Sequence, residues 1–127
     1  MTLTALPNGL RTDNDGVLET VIADLSTGAS SFTSALPFKV EVTGAEVVQE
    51  TAVTVAPALV TFEIGGVAIT SMLATVSNGG ADGDAFSAVA PTGANTLTAG
   101  TSIEVITDGA SSTASIGRVA ISYKRVD

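Results

Sequence analysis

The side chains of this chain that could do chemistry are carboxylates and little else. Thirteen Asp and Glu residues stand against five Lys and Arg, with no His and no Cys. Lacking His, the chain lacks the side chain that most often moves protons near neutral pH. A Ser nucleophile needs a base, usually His or a buried Lys. Lys39 falls in an alternating strand pattern and Lys124 in a charged C-terminal tail, so both are expected to be solvated. Gly65-Gly66 is not followed by the Lys-Ser/Thr of a phosphate cradle. Without Cys there is neither a disulfide nor a thiolate metal site.

Two carboxylates at a set separation are enough for glycoside hydrolysis. Glu41, Glu63 and Glu104 belong to different strand patterns and could converge. Sugar clefts, however, are usually lined by aromatic platforms, and four Phe, one Tyr and no Trp supply few. Solvent-facing strand positions are the expectation for all three. Asp13-Asn14-Asp15-Gly16 and Asp82-Gly83-Asp84 are oxygen-rich turns of the kind that can hold calcium. Calcium takes about six to eight oxygens, and neither run has the downstream Glu of an EF-hand loop. Asx side chains commonly bond their own backbone in turns, which is the simpler reading. No catalytic, cofactor-binding or metal-ligating residue is therefore expected, and the chain is read as non-enzymatic.

The elements that would carry such residues are strands. Val, Ile and Thr make up 40 of 127 residues, and β-branched side chains favour a pleated, half-buried surface. Phe38, Val40 and Val42 alternate with Lys39, Glu41 and Thr43, and Pro37 can open that strand. The parity changes after Gly44, which predicts a bulge near Gly44-Ala45. Ala58 to Ile64 alternates again, Gly65-Gly66 reads as a two-residue hairpin turn, and Val67, Ile69 and Met72 continue beyond it. Leu73–Val76, Ala85–Val89, Thr96–Thr98, Ser102–Thr107 and Ser115–Val126 complete the set. Val17–Leu25 is ambiguous: Leu18, Val21, Ile22 and Leu25 have helical spacing, whereas Thr20-Val21-Ile22 is a β-branched run, and a strand is preferred. Phe32, Phe38, Phe62, Phe86 and Tyr123 fall mostly on positions of core parity. Seven or eight short strands at regular turn spacing predict an all-β, antiparallel β-sandwich or barrel.

Residues 1–16 read as an irregular N-terminal arm and 17–127 as one domain. The arm has two turn clusters and an apolar grip in Leu3, Leu6 and Leu10, with Arg11 beside them. No basic stretch followed by an apolar run suggests a secretory signal, and no apolar stretch approaches the roughly 20 residues that span a bilayer. The net charge of −8 argues against nucleic acid and against anionic membrane. Charged residues are 14% of the chain while mean hydropathy is +0.46. A typical soluble domain carries about 25% charged residues. So sparse a charged surface suits a protein whose exterior is partly covered by copies of itself or by a scaffold.

Several segments lie in an order that resembles a family. Asp24-Leu25-Ser26-Thr27, Leu36-Pro37-Phe38-Lys39-Val40, Val60 to Gly66 with Thr70, Pro91 to Leu97, Ala99-Gly100-Thr101, Ile103-Glu104-Val105 and Asp108-Gly109 are similar to small head-decoration, or cement, proteins of tailed bacteriophages. The resemblance implies a jelly-roll sandwich that forms a homotrimer on the outer surface of the capsid after synthesis in the host cytoplasm. It further implies that the partner is the major capsid protein, whose contacts the trimer stabilises. Leu3, Leu6, Leu10 and Arg11 are the expected partner contacts. The alternative is a receptor- or glycan-binding module of a tail or fibre, which an exposed aromatic patch would favour.

Overall fold

The structure, a computed structural model, describes residues 15–126. Nine strands follow in chain order: β1 (Asp15–Ile22), β2 (Ser30–Phe32), β3 (Val40–Gln49), β4 (Ala58–Ile64), β5 (Val67–Val76), β6 (Ala85–Ser87), β7 (Thr96–Leu97), β8 (Ile103–Thr107) and β9 (Gly117–Arg125). No helix occurs among the described residues.

The pairings are nested. β4 pairs with β5 across the Gly65-Gly66 turn, β3 with β6 and β7, β2 with β8, and β1 with β9, all antiparallel. This is one long hairpin. It rolls up because β9 also pairs with β3, and β8 with β4. Two sheets result, ordered β1-β9-β3-β6 (with β7 also on β3) and β2-β8-β4-β5. Strands that alternate between sheets in nested pairs make a jelly-roll sandwich; the strand pattern predicted the sandwich, and the family resemblance implied the jelly roll.

Local chemistry explains the elements. Gly65 and Gly66 have φ of 59° and 80°, the doubly left-handed turn that a two-residue hairpin needs and that L side chains resist. β1 is a strand because Leu18 and Ile22 face the core while Val17, Glu19 and Val21 face out. Val21, which helical spacing would bury beside Ile22, is 46% exposed. The strand starts at Asp15, so Asp15 and Gly16, read from sequence as the end of the arm, pair with Lys124 and Tyr123. A side chain at Gly16 would collide with the Tyr123 ring, which packs directly over it. The register of β3 against β9 slips between Val42 and Gly44, at the expected bulge. β5 is longer than its pattern suggested. It shifts register opposite Thr61–Glu63, with Ser71 left-handed at φ 68°, which lets both Ile69 and Met72 reach the core. β2 was not expected, since Ser-Ser-Phe is too short and polar to show a period.

The core lies between the sheets and is aliphatic. Phe62 is its largest fully buried side chain, and Ile22, Leu25, Leu97, Ile103, Ile121 and valines share the core with it. Phe38, Phe86 and Tyr123 pack at its margin. Phe32 corrects the sequence reading of the aromatics: it faces out from β2 and is 63% exposed. Among the described residues every buried side-chain polar atom is hydrogen-bonded. Gln49 is the largest of them: its Nε2 donates to Ala81 O (2.9 Å) and its Oε1 accepts from Val53 N (3.1 Å). One amide thus ties the loops after β3 and β5 to the end of the sandwich. Gln49→Met keeps the volume and strands the buried Val53 N–H, so urea unfolding should show a loss of about 1–3 kcal/mol. An unchanged midpoint would contradict the tie.

Candidate functional site

The carboxylates separate by location. Glu41 lies on β3 and Glu63 and Glu104 on β4 and β8, with both sets pointing out from opposite sheets. The whole core stands between Glu41 and the other two, so the three do not converge. Glu63 and Glu104 do come together, as direct cross-strand partners. Glu41 pairs with Lys124 Nζ at 3.4 Å, and Glu50 pairs with Arg118. Lys39 is exposed. No Ser–base pair is formed by either lysine.

The oxygen-rich turns serve the backbone. Asp82 Oδ1 accepts from Ala52 N (2.8 Å) and Asp84 Oδ2 from Ala81 N (2.8 Å). Asp108 Oδ1 accepts from Leu59 N and Ala110 N, both at 3.1 Å. Asp15 sits on β1 opposite Lys124, while Asp13 and Asn14 lie outside the described residues. Among the described residues no group of three or more metal-ligating side chains gathers.

The Asp24 carboxyl has a lowered pKa. It is held below the ordinary 3.8 by a hydrogen bond from the Ser26 hydroxyl, then by the Ser26 and Ser115 N–H groups, with desolvation opposing. Leu25 beside it donates its N–H to Ser115 O, and its carbonyl accepts from Thr107 and Ser111 hydroxyls. This turn stitches the end of β1 to the segment before β9, and its role is structural.

The surface offers faces in place of a cleft. Two depressions lie along the outside of β9, where Ala120 and Ser122 are small between the taller side chains of β1 and β3. Exposed apolar side chains are spread over the molecule: Val17 and Val21 on β1, Phe32 on β2, Val67 on β5, and Val55, Val89 and Ile116 in loops. At the edge where β1 begins, the Arg125 guanidinium lies 4.4 Å from the Phe38 ring centre, and Phe38 and Tyr123 rings are 6.4 Å apart. Sequence reasoning missed this cluster, because nothing in the spacing of Phe38 and Arg125 signals contact. The expected partner contacts Leu3, Leu6, Leu10 and Arg11 lie outside the described residues.

No known family model matches the chain, and no curated protein matches its sequence. Among solved structures, the fold is similar to that of a chain in the cyanophage Pam1 capsid asymmetric unit. The TM-score is 0.57 at 16% identity, over 99% of this chain and 94% of that one. The two chains are therefore nearly equal in size.

Stability should follow the Asp24 carboxylate. Its lowered pKa means that its contribution is present above the unfolded value and is lost as pH falls through the folded value. Asp24→Ala should lower the melting temperature at neutral pH, and the gap from wild type should close as pH drops below 3.8. A gap constant across that range would contradict the assignment.

Proposed function

We propose that this chain is a non-enzymatic virion protein of the head-decoration type, which trimerises on the capsid exterior and braces contacts between major capsid proteins. The observation that carries the reading is the likeness in fold to a chain of similar size from a capsid asymmetric unit. The surface supports it. With 14% charged residues and exposed Val17, Val21, Val55 and Val67, the exterior suits coverage by neighbours better than free solution. β1 supports it as well: eight residues with an unbroken register to β9, at a sheet edge, with no Pro or Lys to blunt it. Such an edge calls for a covering segment or subunit.

A decoration protein works by area, not by chemistry. Bridging a seam between shell subunits adds contacts that must break before the seam opens. Repetition over many sites multiplies weak single contacts into firm attachment. In this reading the N-terminal arm, with Leu3, Leu6, Leu10 and Arg11, grips the capsid. A receptor- or glycan-binding module is less well supported, because Phe32 is the one large aromatic exposed among the described residues and forms no patch with a second ring.

Light scattering should give a mass three times the 12.6 kDa chain. A monomer at micromolar concentration would overturn the trimer. Deleting residues 1–14, which stops short of β1, should reduce occupancy on capsids and leave the melting temperature unchanged. Full occupancy by the truncated chain would remove the arm from the account.

A further inference from the structure

The acidic side chains differ in how they are used. Asp24, Asp82, Asp84 and Asp108 accept hydrogen bonds in turns, and Glu41 and Glu50 pair with cations. Of those left on strands, Glu19 and Glu46 stand opposite Ala120, with a whole strand between them. Glu63 and Glu104 are different. They are direct cross-strand partners on β4 and β8, half-buried on the outer face of the sheet. Neither has a hydrogen-bond or ion-pair partner among the described residues. Like charges directly opposite destabilise a sheet. The fold does nothing to relieve this pair.

The surroundings indicate what would. Phe32 lies opposite Glu104 in the same row, so Phe32, Glu104, Glu63 and Ala68 run across all four strands. The ring is the exposed one. In the adjoining row the half-buried Ile106 and Leu73 flank the exposed Thr61. We infer that this face docks a basic surface of a partner protein through an arginine, its guanidinium lying on Phe32 and reaching across Glu104 and Glu63. Arginine fits better than lysine because its planar fork offers donors to two carboxylates while its face stacks on an aromatic ring. A second copy of this chain fits poorly. Its described arginines are engaged, Arg118 with Glu50 and Arg125 over Phe38. The inference rests on this sheet face and stands whether or not the partner is a capsid protein.

The test is an NMR titration of the isotope-labelled full chain with Nα-acetyl-arginine amide, with Nα-acetyl-lysine amide and calcium chloride as parallel arms. Arginine should give saturable shifts centred on Phe32, Glu63 and Glu104, stronger than lysine. Affinity should fall about fivefold in Glu104→Gln, in keeping with the loss of one exposed ion pair. Glu41→Gln, on the opposite sheet, should leave it unchanged. Glu104→Gln should also melt at or above the wild-type temperature, because a repulsion is removed. Shifts of equal size at Glu19 and Glu46, an unchanged affinity in Glu104→Gln, or a localised response to calcium alone would overturn the inference. So would a lower melting temperature for Glu104→Gln, which would mean that the carboxylate has an internal partner.

Discussion

The fold depends on β9. This strand is central in its sheet, pairing with β1 on one side and β3 on the other, and it sends Val119 and Ile121 into the core. Without it the chain would be a long nested hairpin with one unburied face. By joining the first strand to the third, β9 rolls that hairpin up, and β8 does the same for the second sheet through β2 and β4. Both are late segments, 103–107 and 117–125. Most of the stabilising contacts therefore join residues far apart in sequence, a topology that folds slowly but closes around a single core.

That closure leaves little for chemistry. The core is filled by aliphatic side chains from both sheets, and the buried polar groups, Gln49 above all, are spent on holding loops. The acidic turns likewise bond their own backbone. What remains free is surface: two sheet faces, the β1 edge and a scatter of exposed apolar side chains. In the function proposed above, such a surface acts by contact. The proposed decoration role draws on the resemblance in sequence pattern, while the likeness to a capsid chain is one of fold.

Much of the architecture was legible in the sequence, and the reasons are specific. β4, the Gly65-Gly66 turn and the bulge after Val42 announced themselves, since strict alternation and paired glycines each have one ready structural meaning. β2 did not, because three residues cannot establish a period. Phe32 misled for the same reason: its place on an outward position follows from pairing with Glu104 and from nothing local. The Glu63–Glu104 opposition was equally hidden. Both glutamates showed as solvent-facing, but which strand lies beside which is decided by the rolling of the hairpin. The sequence resolved faces where alternation was long, and left neighbours to the topology.

The central claim is that this exterior is made to be covered. High-resolution imaging of intact particles purified from the source of this chain tests it most directly. Density for the sandwich is expected on the outside of the head, in three-fold clusters seated over seams between major capsid subunits. Particles that lack the chain, or that carry it only at the tail with both sheet faces bare to solvent, would contradict it.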